Sequence, residues 1–186
     1  MTGIAAPSPP SAQHQPLSAK EQRSRPAGLV GRLVPAGLSV FAAAVFLDSL
    51  RYKFTDHPNT QEIFSRLDGW AASLGAPGLF DQTGLFSQYV IGSGELVASS
   101  LLLAGLHPRL RALAVVGALI GLAIMTGAVS FHLFTPLGVD PNNDGGGLFA
   151  AACLVWVSMA LMLILRRKTA LRLAGDLRRA LISPAA

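Results

Sequence analysis

Six polar or charged residues stand out because they lie in or beside long apolar segments. Glu95 lies within the apolar stretch from Val90 to Leu103, and an ionisable side chain at membrane depth costs about 2.5–3.5 kcal/mol on insertion scales. Such a residue is a candidate functional group by default. Histidine titrates near neutral pH, and a carboxyl group away from water holds a proton more readily than one in water. The candidates for ligand binding or proton handling are therefore Glu95, His132, Asp48, Arg51, Lys53 and Ser99.

A structural role is the alternative for these residues. Glu95 could form an interhelical hydrogen bond or ion pair that fixes helix packing. Its available partners are Arg51, Lys53 and His132. Asp48 and Arg51 are three positions apart, so they can form a solvated ion pair on one helix face. The sequence leaves both interpretations open.

The composition places the chain among membrane proteins. Of its 186 residues, 51% are hydrophobic and 13% are charged, whereas a soluble domain has about 25% charged residues. The mean hydropathy is +0.48. The net charge of +5 does not indicate nucleic-acid binding, because the basic residues flank apolar segments, as they do where they orient a membrane protein. The single cysteine, Cys153, excludes an intrachain disulfide.

Four apolar segments predict an all-α fold, a bundle of four transmembrane helices. Each has about 20 residues, which is enough to cross ~30 Å of hydrocarbon at 1.5 Å per residue. The segments cover approximately residues 29–50, 86–106, 110–134 and 147–165.

The first outer loop, residues 54–85, is predicted to contain a short amphipathic helix. Asn59 or Thr60 can cap it, and Glu62 stands three positions after Asn59, as in a capping box. Apolar residues, including Trp70, then recur every three or four positions. We expect this helix to lie in the membrane interface as a lid.

The distribution of Lys and Arg predicts the topology. Twelve of these residues belong to the termini and the turn between the second and third spans, and three lie on the other side. The positive-inside rule then places both termini in the cytoplasm. The predicted domains are a disordered cytoplasmic tail (1–27), a membrane domain (28–168) and a basic amphipathic cytoplasmic tail (169–186).

The predicted spans place the candidate groups at one end of the bundle. Asp48, Glu95 and His132 all fall in the outer half, with Arg51 and Lys53 at the same mouth, which predicts an outward-facing polar pocket. Small residues are expected where helices pack closely. Those predicted to pack are Gly117 and Gly121, which form a GxxxG pattern, together with Gly92 and Gly94.

The sequence gives little evidence for a metal or haem site. Residues 140–145 match the first half of a calcium loop, but Ala151 stands where the bidentate glutamate belongs. A tight turn in which Asp144 caps the next helix fits better. A bis-histidine haem would have to pair His57 in a loop with His132 in a span, and the pattern argues against it. We expect no metal site.

Several motifs, in order, resemble the DoxX family of membrane proteins. They are the segment Arg51 to Thr60, Gly94-Glu95-Leu96, the segment Ala128 to His132, and the segment Asp144 to Phe149. The resemblance covers roughly residues 30–168. It implies a four-helix bundle in the bacterial cytoplasmic membrane. Some relatives are linked to thiosulfate:quinone oxidoreductase and others to oxidative-stress complexes with separate soluble enzymes. No catalytic residues carry over.

Three functions are compatible with these features, and no enzyme signature decides among them. The first is a redox-linked membrane subunit whose pocket at Glu95 and His132 holds a quinone, with a separate redox protein or another copy of the chain as its partner. The second is a non-catalytic membrane scaffold that docks partners through its basic tail. The third is a small transporter, which the lack of a visible inverted repeat disfavours.

Overall fold

The structure, a computed structural model, describes residues 28–182, except for the side chains of residues 29 and 30. The predicted disordered tail, residues 1–27, lies outside the described residues. Six α-helices and no strands occur in the described part. They are α1 (Leu29–Phe54), α2 (Pro58–Ser73), α3 (Gln88–Ala104), α4 (Arg111–Phe134), α5 (Gly147–Leu165) and α6 (Arg167–Ile182).

Four of the helices form a ring. Helix α1 packs against α3 and α5, and α4 packs against the same two neighbours on the other side. The core between them is made of apolar side chains and small residues, among them Phe46, Leu102, Val155 and Met159, each at most 1% exposed. The large apolar residues on the outside of the ring remain exposed, as expected where lipid replaces water.

Helices α1, α4 and α5 are long and apolar enough to cross a membrane. The predicted second span is shorter than the pattern suggested, because α3 has 17 residues. Its start is set by Ser87, whose hydroxyl accepts a hydrogen bond from the backbone N–H of Val90, and its last turn is closed by Gly105. The described structure thus contains three candidate spans, and the expected count of four remains a prediction.

Helix α2 forms in the predicted outer loop, but the predicted cap is wrong. Its N-cap is His57, whose Nδ1 accepts a hydrogen bond from the backbone N–H of Asn59. Pro58 then occupies the first helical position, where its missing N–H costs nothing. Glu62 forms an ion pair with Arg66 at 2.6 Å, so it is not part of a capping box.

The apolar face of α2 packs on the end of α4 and on the loops beside it. Leu67 and Ala71 join Phe80 and Leu137 in a second apolar cluster. Phe131 of α4 lies against this cluster, with its ring centroid 5.2 Å from that of Phe80. This packing attaches α2 to the end of α4.

The loop before α5 is a tight turn, as the sequence indicates, but the N-cap residue is Gly146, two positions after the predicted Asp144. Asp144 accepts hydrogen bonds from the backbone N–H groups of Gly146, Gly147 and Leu148 at 2.9–3.1 Å. The carboxylate therefore satisfies several of the free donors at the start of α5. At the other end of α5, α6 follows almost without a break and contains no buried residue.

Candidate functional site

The buried carboxylate of Glu95 meets the ammonium group of Lys53. Lys53 lies near the end of α1 and Glu95 lies in the first half of α3. The Nζ atom of Lys53 is 3.0 Å from Oε2 and 3.1 Å from Oε1 of Glu95. The side chains are 15% and 3% exposed, respectively. A charge pair in this position joins two helices of the ring.

The carboxylate keeps one unused acceptor. The contact with Oε1 has the geometry of a hydrogen bond, whereas Oε2 is close to the ammonium group but has no hydrogen-bond donor among residues 28–182. Lys53 also donates a hydrogen bond to the hydroxyl of Ser49, one turn earlier on α1. The ammonium group is thus held between two oxygens, and the second carboxylate oxygen can accept a further hydrogen bond.

Gly92 of α3 lies against the end of α1 that carries Lys53, at ordinary van der Waals distance. A Cβ atom at Gly92 would lie 3.4 Å from the Lys53 side chain and 3.4 Å from the Phe54 ring. Gly92 is one turn before Glu95 and is buried, as is Ser99 one turn after it. The face that these three residues share therefore points into the protein. The Ser99 hydroxyl donates to the carbonyl of Leu96 in the same helix, at 3.0 Å.

A polar junction at the start of α3, which was not among the predicted site residues, lies beside the pair. Gln88 is 2% exposed and donates to the backbone carbonyl of Lys53 at 2.9 Å and to the carboxylate of Asp56. It accepts a hydrogen bond from Gln61 at 2.8 Å. Asp56 also accepts one from the Tyr89 hydroxyl at 2.6 Å.

The junction fixes the end of α1 against α2 and α3. Asp56 has a positive φ of 52°, a conformation that residues other than glycine adopt rarely. In the sequence, the only indication of this junction is that two polar residues, Gln88 and Tyr89, stand side by side at the start of an apolar helix. Their partners are about 30 positions away, so the sequence alone could not supply them.

Asp48 and Arg51 form the local ion pair that their spacing allows. The distance from the guanidinium to the carboxylate is 2.9 Å, and the side chains are 60% and 67% exposed. The guanidinium also lies 5.1 Å from the centroid of the Tyr52 ring. Both residues are on the outside of the ring and are not part of the Lys53–Glu95 contact.

His132 is buried at a different place. Its Nδ1 atom is 2.6 Å from the carbonyl oxygen of Gly138, and its ring centroid is 5.4 Å from that of Phe149. A Cβ atom at Gly94 would lie 3.0 Å from Ile124 of α4, so Glu95 is level with that part of α4. His132 is a further eight residues along α4, which corresponds to roughly 12 Å.

Five of the six candidate groups therefore divide into three places, and Ser99 bonds within its own helix. Lys53 and Glu95 come together, Asp48 and Arg51 pair on the surface, and His132 contacts the loop after α4. Among residues 28–182, no hydrogen bond or ion pair joins Glu95 to His132. In the same range, no group of three or more His, Cys, Asp or Glu residues could hold a metal ion.

The GxxxG glycines of α4 lie against α3 and against a core side chain of α1. A Cβ atom at Gly117 would be 2.8 Å from the backbone carbonyl oxygen of Ala98 in α3, and one at Gly121 would be 3.1 Å from the Phe46 ring in α1. The contact of Gly117 is with backbone, which cannot move aside as a flexible side chain can. Close approach of α3 and α4 thus depends on this glycine.

A helical ring with apolar outer surfaces and three helices long enough to span a bilayer defines a multi-pass membrane protein. The family model described as DoxX matches residues 29–133, more than half of the chain. The protein belongs to the DoxX family, and its helices contact the lipid bilayer. No curated protein and no solved structure matches the chain.

Proposed function

We propose that this DoxX-family protein is a quinone-associated subunit of a redox system in the bacterial cytoplasmic membrane. The observation that carries the proposal is the buried Lys53–Glu95 pair, in which Oε2 of Glu95 has no hydrogen-bond donor among the described residues. A charged pair inside a membrane protein is costly and is typical of a functional site.

The pair has the groups that a quinone requires. A quinone carbonyl oxygen needs a hydrogen-bond donor, and the ammonium group of Lys53 is one. A quinol hydroxyl needs an acceptor, and Oε2 of Glu95 is one. Reduction of a quinone to a quinol takes two electrons and two protons. In this proposal a partner redox protein supplies the electrons, while the chain binds the ring and passes on the protons.

Apolar and aromatic surface beside the pair favours a ligand that arrives through the lipid. Phe54, which follows Lys53 in the chain, and Leu96 and Val97, which follow Glu95, are 44–49% exposed. The rings of Phe54 and Tyr89 are stacked, with their centroids 6.3 Å apart. A planar ring that enters from the hydrocarbon can pack against such a surface. In this proposal His132 is a second proton-handling group. It lies nearer the Lys53 end of the bundle than Glu95 does.

The proposal includes a fourth span. Helix α3 has 17 residues and reaches about 25 Å, and the apolar residues Phe86 and Leu106 at its two ends extend that length. With α1, α4 and α5 it makes a four-span bundle, and both termini are cytoplasmic, as the distribution of basic residues predicts. Lys53 then lies towards the outer face. Trp70 of α2 suits the membrane interface on that side.

The proposed topology also divides the chain into domains. Residues 28–168 form the membrane domain, and residues 169–186 form a basic cytoplasmic tail. The tail and the outer loop are the surfaces available to a partner redox protein or to another copy of the chain.

Quinone binding by the purified full-length protein tests the proposal. We expect saturable binding of a short-chain ubiquinone or menaquinone analogue by the wild type, and at least tenfold weaker binding by Glu95→Gln and Lys53→Met. His132→Ala tests the second group and is expected to change the pH dependence of binding. Asp48→Asn is the matched control, because it neutralises an exposed carboxylate near the end of α1 that carries Lys53. This variant should bind the quinone as the wild type does.

If the folded wild type does not bind either quinone, or if Glu95→Gln binds as well as the wild type, the pair is not a quinone site. Circular dichroism of each variant separates lost binding from lost folding.

A membrane scaffold is the second candidate, and the exposed basic helix α6 favours it. None of the residues of α6 is buried, so its surface is free for a partner or an anionic leaflet. A scaffold predicts that removal of residues 169–186 abolishes co-purification with partners while Glu95→Gln leaves it intact. A transporter predicts solute flux in vesicles, which is the test for the third and weakest candidate.

A further inference from the structure

Three arginines surround a cavity at the end of the bundle opposite Lys53. The cavity has a volume of about 260 Å³. Its basic residues are Arg32 near the start of α1, Arg111 at the start of α4, and Arg166 between α5 and α6. They come from three separate parts of the chain, and only the packing of the helices brings them together.

The positive charge of this cluster is not balanced within the described structure. The four ion pairs among residues 28–182 involve other basic residues, and no acidic residue lines the cavity. Burial lowers the pKa of the Arg166 guanidinium, and the charge of Arg111 lowers it further. Like charges this close are unfavourable unless an anion lies between them.

Apart from Ser39, whose hydroxyl donates to the carbonyl of Pro35, the other walls of the cavity are apolar. Leu33, Leu106 and Met162 lie beside the arginines, and Leu33 is 58% exposed on the outside of α1. A ligand that fills this space therefore has a charged end and an apolar end. The cavity opens where the three helices end, which is the level at which lipid headgroups meet the hydrocarbon.

We propose that the Arg32–Arg111–Arg166 cavity binds the phosphate group of an anionic phospholipid. The planar guanidinium presents paired N–H donors that match phosphate oxygens. The N-terminus of α4, which begins with Arg111, adds partial positive charge on the same side. The acyl chains lie along the exposed apolar surface of α1. Free phosphate shares the chemistry of the headgroup, but it leaves the apolar walls without a partner.

Native mass spectrometry of the full-length protein in detergent tests the proposal. The probes are phosphatidylglycerol, phosphatidylcholine with the same acyl chains, and inorganic phosphate. We expect the wild type to retain phosphatidylglycerol in preference to phosphatidylcholine. Arg111→Gln and Arg166→Gln should each weaken phosphatidylglycerol binding roughly tenfold, as the loss of a charged hydrogen bond implies.

Arg109→Gln is the matched control. Arg109 is exposed in the turn just before α4 and does not line the cavity, so this variant removes the same charge from the same end of the bundle. It should bind phosphatidylglycerol as the wild type does. Should the glutamine variants fail to fold, Arg111→Lys and Arg166→Lys keep the charge but lose the paired donors, and they should still weaken binding where Arg109→Lys does not.

Three outcomes overturn the proposal. One is equal binding of the two lipids by the wild type. Another is unchanged phosphatidylglycerol binding by the folded cavity variants. The third is arginine-dependent binding of inorganic phosphate with no preference for phosphatidylglycerol, which identifies a free anion as the ligand. None of these results depends on whether the chain binds a quinone.

Discussion

Lys53 at the end of α1 and Glu95 in α3 form a buried ion pair, with Nζ 3.0 Å from Oε2. Lys53 also donates to the hydroxyl of Ser49, one turn earlier on α1, and its backbone carbonyl accepts from Gln88 in the buried junction. The pair joins two helices that are separated by more than 30 positions in the sequence. Its energetic role and its chemical role can be separated by experiment.

Removal of one member of the pair is expected to destabilise the bundle. Glu95→Gln leaves the ammonium group of Lys53 without its counter-charge, and breaking a buried pair in this way costs about 3 kcal/mol or more. Lys53→Met should cost a similar amount. The measurement is the free energy of unfolding in detergent, from the loss of helical circular dichroism.

The double variant Lys53→Met/Glu95→Leu distinguishes a lost charge from lost packing. Since apolar residues of similar volume often replace a buried pair at little cost, we expect its stability to be within about 1 kcal/mol of the wild type. Asp48→Asn breaks an exposed pair and should cost less than about 1 kcal/mol. Additive losses in the double variant would show that the two charges are not coupled.

Gln88→Leu is expected to loosen the junction between α1, α2 and α3. The substitution removes the donor to the Lys53 carbonyl and to Asp56, and buried groups left without a partner cost about 1–3 kcal/mol. The unfolding midpoint of the purified protein measures the effect. Gln82→Leu, at an exposed position in the preceding loop, is the control and should leave the midpoint unchanged. Equal midpoints for both variants would contradict a structural role for the junction.

Gly117→Ala tests the close approach of α3 and α4. An added Cβ atom would lie 2.8 Å from the carbonyl oxygen of Ala98, so the helices must separate, at a cost of about 1–3 kcal/mol. Gly127→Ala on the same helix is the control, because its Cβ atom would meet only the Phe131 ring at 3.7 Å. That variant should be neutral or slightly stabilising, as alanine favours the helix. A stable Gly117→Ala protein would rule out backbone contact as the reason for this glycine.

Asp144 is expected to stabilise the start of α5 in a pH-dependent way. Its pKa is below the ordinary value, chiefly because it accepts a hydrogen bond from the backbone N–H of Leu148. A depressed folded-state pKa means that the stabilisation is fully present above the unfolded pKa of about 3.9. It is lost as the pH falls through the lower folded-state value.

The pH dependence can be measured with one substitution. Asp144→Asn keeps an acceptor but no charge, so its unfolding midpoint should be below that of the wild type at pH 6. The two midpoints should converge as the pH falls below about 4. Asp81→Asn is the control, because Asp81 accepts one hydrogen bond, from the backbone N–H of Gln82. If the difference in unfolding midpoint between the wild type and Asp144→Asn grew at low pH, the Asp144 carboxylate would not be the stabilising group.

Local features of the fold could be predicted from the sequence. The apolar segments predicted the helices of the ring, and the Asp144 turn followed from one carboxylate placed before glycines. The His57 cap was missed because Asn59 is the better cap by residue type. The proline at position 58 decides the outcome, since it favours the first turn of the helix and makes the residue before it the cap.

What the sequence determined by itself was the class of protein and the positions of its helices, because hydropathy and turn residues act within a few positions of the chain. The tertiary structure decided which charges meet. Arg51 and Lys53 are two positions apart and so point to different faces of α1; only the packing of α3 decided that Lys53 reaches Glu95. It also separated His132 from Glu95 and gathered Arg32, Arg111 and Arg166 around one cavity. Such contacts depend on how helices rotate and pack, which is set by core side chains far apart in the sequence.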